Sequence, residues 1–402
     1  MTELFREKPR CLIIHANLLE KGGAELFALR AIRAALKAGF AIDVLHTGGN
    51  IDWLEFERWA GFEIEGKKDI RLIEPKASIF DRIFRGDKPS LLAYALSLRT
   101  ARAYSKYYDF IFSTYGELPL AHKVAVQFIH VPLFFYDQES LSYLGHKSGS
   151  VIKSAVRAAY VILCRQVAGW SKQRVSNIPA LANSIWTKKQ ALRHYPDLHI
   201  QHTYIGASTT VCFSQELGAW WQDRADQIVI LGRVVPGKRL DIAIRFVEKL
   251  QAKGIKVGLT IIGSPAGAYE QTINELIVDK PYISWKSGLS RAQLEEAAAQ
   301  CKWGLHCAPY EHYGLAAIEL QRLGCLTLVP DSCGQSELVA DDRFKYSSEQ
   351  ELYEKFLAIY SDPDLQKRMN EERCKLISLH TFENHDQLMF NEMLKVKECI
   401  KT

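Results

Sequence analysis

Acidic residues are missing from one long stretch of this sequence. Between Ser140 and Pro196 there is no Asp or Glu, against nine cations: Lys147, Lys153, Arg157, Arg165, Lys172, Arg174, Lys188, Lys189 and Arg193. The stretch Lys88–Tyr108 is also acid-free and holds Lys88, Arg99, Arg102 and Lys106. Acids elsewhere restore the balance. The formal net charge is only +5, which does not argue for a nucleic-acid partner. C-x-x-C pairs are absent too. The nine cysteines (Cys11, Cys164, Cys212, Cys301, Cys307, Cys325, Cys333, Cys374, Cys399) are scattered and odd in number. That pattern excludes a disulfide framework or a zinc ribbon and reads as free thiols in a reducing compartment. Long apolar runs are lacking. The longest uncharged run, Leu198–Gln215, is full of Gln, His, Thr and Ser, so no segment is expected to span a bilayer. The start, MTELFREKPRCLIIHAN, is charged too early for a signal peptide. There are no repeats and no low-complexity tracts. The expected location is cytoplasmic, with the basic stretches offering peripheral contact with the membrane face.

What is present is an ordinary globular composition. Of 402 residues, 48% are hydrophobic and 24% charged, enough for a large core without a metal or disulfide. Short β-branched runs alternate with helical patterns. The first six are Cys11–Ala16, Ala41–Leu45, Ile70–Ile73, Phe110–Ser113, Val124–Ile129 and Leu181–Asn183. Five more are Gln227–Leu231, Val257–Ile262, Tyr282–Trp285, Trp303–Cys307 and Leu326–Val329. Such alternation predicts βαβ units and parallel sheets, an α/β fold. Between two of these runs, Leu240, Ile244, Val247 and Leu250 fall on one face of a helix. The strand period lapses over Cys212–Asp226, which places a boundary there. The expected organisation is a first doubly wound domain over 1–211, a second over 212–380, and a terminal helix over 381–402 packing back toward the first. Ligands in such sheets sit outside the carboxyl ends of the strands.

Four stretches could carry chemistry. In ILGRVVPGKRLDIAI, Arg233 follows a buried strand and Lys238 opens the next helix. Two cations at a helix N-terminus suit a diphosphate, although the residues alone also allow a surface Arg and Lys beside a loop. In HCAPYEHYGLAAIEL, Glu311 lies in the loop before a helix and Glu319 inside it. Paired carboxylates suggest acid–base work on sugars. At ~1.5 Å rise per residue this pair cannot easily share one glycosidic oxygen. Glu311 is instead suited to sugar hydroxyls and Glu319 to a vicinal diol, with the amides of Gly314, Leu315 and Ala316 between them for an anion. A dipole-complementing and a solvated glutamate would give the same spacing. In the first half, LIIHANLLEKGGAEL runs strand, loop, Gly22-Gly23, helix, and His130 ends a strand in QFIHVPLFFYD. A structural turn and a structural histidine are the plain alternatives.

Together, GGAE (Gly22–Glu25), HVP (His130–Pro132), LANSIWT (Leu181–Thr187), GRVVPGK (Gly232–Lys238) and EHYGLAAIE (Glu311–Glu319) resemble the family 4 retaining glycosyltransferases. The motifs are most similar to those of the dolichol-linked-oligosaccharide α-1,2-mannosyltransferases. The resemblance implies the GT-B fold, two Rossmann-like domains facing a central cleft. It implies that Arg233 and Lys238 hold the donor diphosphate without a divalent metal or other cofactor. Gly314–Ala316 would then bind sugar and phosphate, Glu311 the transferred sugar, and Glu319 the ribose. His130 would reach the donor sugar from the opposite domain, and Gly22-Gly23 would lie near the phosphates or acceptor. Relatives read E-A-M-A-x-G where this chain has Glu319-Leu320-Gln321-Arg322-Leu323-Gly324. Gln321 and Arg322 are expected to change only the helix surface. SGLS (Ser287–Ser290) stands for the loop near the base, and Gly334 and Glu337 for the later G-G-x-x-E.

The expected function is transfer of a hexose to a glycan or polyprenyl-diphosphate-linked acceptor in polysaccharide assembly. GDP-mannose is the favoured donor and a UDP-hexose the second. A GT-B nucleotide-sugar epimerase and a non-catalytic binding protein are the alternatives of other classes. Ile152, Val156, Ala159, Leu163, Val167 and Trp170 form one helical stripe, with Lys153, Arg157, Arg165 and Lys172 roughly opposite. The stripe is expected to pack on the core. The cations are then either a solvated face or a face set against anionic lipid, each adding about 1 kcal/mol.

Overall fold

The computed structural model describes residues 8–75, 91–135, 151–206, 223–265, 267, 269–339 and 341–401, with the backbone alone for 151–155, 379, 382 and 401. Among these, one compact unit runs through 8–135, 151–205 and 383–401, and a second through 206–382. Most of the boundary expected at Cys212–Asp226 lies outside the described residues.

The first unit is built on β1 (Arg10–Ile14), β2 (Ala41–Leu45), β3 (Ile70–Ile73), β4 (Phe110–Ser113), β5 (Ala125–Ile129), β6 (Ala180–Ala182) and β7 (Ile200–His202). Their order is β3-β2-β1-β4-β5-β6-β7, and every pair is parallel. Runs such as CLII and FIFS are buried along their length, as a sheet covered on both faces requires. The chain order reverses between β1 and β4, which makes that gap the switch point where ligands bind. Helix α1 (Gly23–Lys37) carries buried residues on nearly every side, Arg30 included. The terminal helix supplies the reason. From its start at Phe382 to Lys401, it gives Asp386 to the Arg30 Nε (2.6 Å), a ring edge from His385 to Phe27, and the Lys397 ammonium to the Ala38 carbonyl.

The remaining described helices of this unit are α2 (Trp53–Ala60), α3 (Leu91–Tyr104), α4 (Val151–Ala168), α5 (Lys172–Ser176) and α6 (Ile185–His194). Helix α4 departs from expectation. Val156 is 64% exposed and Leu163 48%, and Ala159 is exposed, whereas Cys164 and Ala168 are buried. The polar groups turn the helix. Tyr160 accepts a bond from the Leu92 amide on α3, and Arg102 of α3 donates to the Ala168 carbonyl. Arg165 donates to the Phe134 carbonyl and lies over the Phe135 and Trp170 rings. Half of the expected apolar stripe therefore faces outward, and Arg157 and Arg165 are half-buried. Lys88, residues 140–150 and the side chains of Ile152 and Lys153 lie outside the described residues.

The second unit repeats the winding. Its strands are β8 (Ala225–Leu231), β9 (Gly258–Ile262), β10 (Ile283–Lys286), β11 (Cys301–Leu305), β12 (Leu326–Pro330) and β13 (Lys345–Tyr346), ordered β10-β9-β8-β11-β12-β13 and all parallel. Helices α7 (Leu240–Ala252), α8 (Tyr269–Ile277), α9 (Arg291–Ala299), α10 (Leu315–Arg322), α11 (Glu349–Tyr360) and α12 (Pro363–Leu379) flank it, and α13 is the terminal helix. Leu240, Ile244, Val247 and Leu250 of α7 are all buried, each burial worth about 1.5–3 kcal/mol. Here the switch point lies between β8 and β11.

Candidate active site

At the second unit's switch point, Gly232 follows β8 and Gly263 follows β9. A Cβ on Gly263 would lie 1.8 Å from the Gly232 carbonyl oxygen, so glycine lets the two strand ends meet backbone to backbone. Arg233 follows, exposed. Pro236–Lys238 forms a single 3-10 turn, and Arg239 then takes a left-handed conformation (φ 49°) before α7 begins. Its guanidinium makes two 3.0 Å bonds to Asp241 in the first turn of α7, which offsets the backbone strain. The chain thereby aims the Lys238 side chain across the switch point.

Lys238 Nζ reaches Glu311 Oε2 at 2.5 Å. His306, which follows β11, sits 3.6 Å from the same oxygen and is buried. Burial works against the Glu311 charge, yet Lys238 and His306 hold its pKa well below the carboxylate range. Burial lowers the His306 pKa, with Glu311 opposing, so its imidazole is neutral at neutral pH. Gly314 caps α10 with φ 98°, and a Cβ there would come within 2.9 Å of the Gln335 Cβ. The loop carrying Gln335 is latched on: Gly334 N donates to the Glu311 carbonyl and Gln335 Nε2 to that of Ala308. The amides of Gly314, Leu315 and Ala316 open α10 with no side-chain cap.

Glu319 has a different partner. Arg291, the first residue of α9, donates from Nη2 to Glu319 Oε1 (3.0 Å) and from Nε to Glu295 Oε1 (2.7 Å). Burial disfavours the guanidinium charge, but Glu319 and Glu295 more than offset it and raise its pKa. Each of the two glutamates thus has its own cation. Gln321 and Arg322 correct the expectation of a surface effect, because both are buried. Gln321 donates to the Leu338 carbonyl at 2.7 Å, and Arg373 of α12 donates to the Gln321 carbonyl. The face of α10 that carries them is covered, and the Gln321 side-chain amide ties α10 to the loop at Leu338.

The first unit carries its own cluster at the carboxyl ends of its strands. His15 after β1 bonds Thr114 after β4 (Nδ1 to Oγ1, 3.0 Å), directly across the switch point. Its Nε2 donates to Glu25 Oε1 at 3.2 Å, and Glu25 Oε2 accepts the Gly22 amide at 2.7 Å. Burial opposes the Glu25 charge, but these bonds pull its pKa below the usual value. Gly22 and Gly23 are therefore fixed by a buried carboxylate at the N-terminus of α1. His130 follows β5. Its Nε2 lies 3.2 Å from the Thr114 carbonyl, so that nitrogen carries a proton, and its ring rests against Phe128. The segment after it is clamped. Buried Glu117 accepts the amides of Leu133 (2.9 Å) and Phe134 (3.2 Å) and the Tyr195 hydroxyl (3.2 Å). Burial raises the Glu117 pKa to about 7 against those bonds.

Of the residues singled out from sequence, Lys238, Glu311 and Gly314 meet at one point of the second unit. Arg233 lies at the end of the adjoining strand, and Glu319 faces Arg291. Gly22, Gly23 and His130 belong to the first unit. Residues 221–375 match the family model described as glycosyl transferases group 1. That match lies within the second unit, covers less than half of the chain, and is what this unit is similar to. A 168-residue stretch, 39% of the chain, is 24% identical to the GDP-Man:Man(3)GlcNAc(2)-PP-Dol alpha-1,2-mannosyltransferase of Candida glabrata and spans 33% of that protein. WaaG, a glycosyltransferase involved in lipopolysaccharide biosynthesis, superposes with a TM-score of 0.69 over 95% of this chain and 99% of its own, at 13% identity. HepE from Anabaena, solved in complex with UDP and glucose, gives 0.65 over 96% and 99%, also at 13% identity. The fold is GT-B. Within the second unit, sequence reasoning missed Arg291 and His306. The spacing of Arg291 and Glu295 is an ordinary i, i+4 helix pair, and nothing local links either to Glu319. His306 was legible only as a member of the run Trp303–Cys307.

No helix among the described residues is long and apolar enough to cross a membrane. The eight described cysteines are all free.

Proposed function

We propose that this chain is a retaining hexosyltransferase that takes a nucleoside-diphosphate sugar, GDP-mannose by preference, and transfers the hexose to a glycan or polyprenyl-diphosphate-linked acceptor. The observation that carries the proposal is the Lys238–Glu311 pair at the switch point, beside the uncapped amides of α10. A cation from the loop after β8, and a carboxylate and a helix N-terminus from the loop after β11, fit a sugar diphosphate: charge for the phosphates, acceptors for the hydroxyls. The bond that breaks joins the anomeric carbon to the diphosphate. Arg233, Lys238 and the α10 amides take up the charge of the departing diphosphate, so no divalent metal is needed. The acceptor hydroxyl forms the new bond on the same face, and its proton leaves with the diphosphate oxygen. Glu311 and His130 serve the transferred sugar, Glu319 the ribose, and Gly22-Gly23 the phosphates or acceptor.

The preference for GDP-mannose rests on the yeast relative's name and on the similarity of the motifs. The HepE complex favours a second reading, a UDP-hexose donor. A calorimetric panel of GDP-mannose, GDP, UDP-glucose, UDP-N-acetylglucosamine and UDP decides between them. Binding of GDP-mannose at least tenfold tighter than the UDP-sugars supports the first. Binding of none of them, with unchanged thermal stability, ends the proposal. The exposed apolar residues of α4 and the acid-free stretch support contact with an anionic membrane, where a lipid-linked acceptor would reside. Flotation with phosphatidylglycerol vesicles that salt does not weaken would argue against the electrostatic part.

A further inference from the structure

Arg291 belongs to neither the diphosphate cations nor the loop that carries Glu311. Its side chain is 18% exposed, and it bridges Glu295, almost fully buried, and Glu319, 13% exposed. Helix α9 is itself pinned at this end. Ser290 accepts the Gln293 amide and Gln293 Oε1 accepts the Ser290 amide, closing a capping box around Arg291. Both ends of the bridge are thus fixed: Glu295 within the same helix by i, i+4 geometry, and α9 by its cap. A guanidinium held in this way presents Nη2 to one Glu319 oxygen at a set distance and angle.

We infer that Arg291 is a positioning residue that orients the Glu319 carboxylate for the vicinal hydroxyls of the donor's ribose, so that selection of ribonucleotide over deoxyribonucleotide depends on it. The inference rests on the reading of Glu319 as the ribose acceptor. A carboxylate accepting two adjacent hydroxyls must lie close to their plane. On a side chain with three rotatable bonds that orientation is one rotamer among several, and the Arg291 bridge selects it before ligand arrives. Arg291 itself touches no substrate. Its chemistry is to remove the disorder Glu319 would otherwise lose on binding.

The test is calorimetric titration of the full chain with GDP, UDP, their 2′-deoxy and 3′-deoxy forms, and inorganic pyrophosphate. A hydrogen bond to an ionised group predicts wild-type discrimination against the deoxy ligands on the order of tenfold to a hundredfold. In Arg291→Met, binding of the ribonucleotides falls to near the level of the deoxy ligands. Deoxynucleotide and pyrophosphate binding stay unchanged, which shows the domain folded. Arg291→Lys keeps a charge but loses the fork and recovers only part of the discrimination. If Arg291→Met does not fold, Glu295→Gln loosens the bridge without touching Glu319 and should lower the discrimination severalfold. Full discrimination in a folded Arg291→Met, or in Glu295→Gln where that variant stands in, overturns the inference and leaves Glu319 as the ribose group. No discrimination in the wild type overturns the reading of Glu319, and the inference with it.

Discussion

The Lys238–Glu311 pair makes an opposed pair of predictions about one ligand. A diphosphate that uses Lys238 must share it with, or take it from, Glu311. Glu311→Gln should then bind GDP or UDP more tightly than wild type, and Lys238→Met more weakly. The magnitude follows from exposure. Both side chains are about a quarter exposed at 2.5 Å separation. Fully exposed pairs contribute about 0–1 kcal/mol, and breaking a fully buried one costs about 3–5, so an intermediate pair is worth about 1–2 kcal/mol. Releasing Lys238 from it should tighten the nucleoside diphosphate by about five- to thirtyfold. Glu311 is held ionised, with its pKa well below the ordinary value. The gain should therefore be flat between pH 5 and 8, since protonation would free Lys238 only in stronger acid. The assay is isothermal titration with GDP and UDP at two salt concentrations, because the Lys238 contribution should shrink with ionic strength. Sugar transfer or donor hydrolysis by Glu311→Gln should meanwhile fall, since the carboxylate is assigned to the sugar. Equal weakening in both variants would mean that Glu311 holds Lys238 in place for the ligand and does not compete with it. Unchanged binding in Lys238→Met would remove the diphosphate assignment altogether.

Three other perturbations test the frame around the site. Glu117 has its pKa raised from 4.5 to about 7 by burial, so its contribution to stability is present below pH 4.5 and is lost as pH rises through 7. Denaturation of wild type and Glu117→Gln at pH 5 to 8 should show the difference between them shifting against wild type by about 2–3 kcal/mol; a flat difference would place its titration elsewhere. Asp386→Ala strips a carboxylate from Arg30, whose side chain is fully buried, and should destabilise the chain by about 2–4 kcal/mol, seen as a lower urea midpoint. Gly314→Ala places a Cβ at φ 98° against Gln335 and should cost about 1–2 kcal/mol while weakening nucleotide binding; unchanged binding would separate the α10 amides from the ligand.

The strands were legible because a parallel sheet buried on both faces leaves uninterrupted apolar runs. Ala41–Leu45, Ile70–Ile73 and Phe110–Ser113 fall where the runs placed them. The strands Ile200–His202 and Lys345–Tyr346 did not stand out. They are edge strands of three and two residues, too short to carry a period, and Gln201 and His202 are exposed. Helix α4 shows the limit of periodicity. Its apolar stripe exists, but hydrogen bonds to the Tyr160 hydroxyl and to the Ala168 carbonyl, together with the stacked Arg165, decide its rotation. None of these depends on the 3.6-residue repeat. The buried Gln321 and Arg322 failed for a related reason. A polar residue in a helix reads as surface unless one knows that a later helix, here α12, covers it.

The functional residues divide in the same way. Those that end strands or open helices were legible, because topology alone sends ligands to the carboxyl edge: Arg233, Lys238, Gly314 and His130 all lie there. Those that act through a partner distant in sequence were not. Glu311 and Glu319 could be separated by helix geometry, but nothing in their spacing says which cation each would face. The fold gives Glu311 to Lys238, seventy-three residues earlier, and Glu319 to Arg291, twenty-eight earlier. That assignment also says what each carboxylate can do. Under the proposed role of Lys238, a glutamate bound to that cation competes with the diphosphate, so ligand arrival is expected to rearrange it. A glutamate bridged by a pinned arginine is already oriented and need not move. The two therefore differ in mobility as well as in target: Glu311 should shift on donor binding while Glu319 stays fixed. Paired structures with and without a nucleoside diphosphate would test this directly, and movement of Glu319 with a still Glu311 would reverse the two roles.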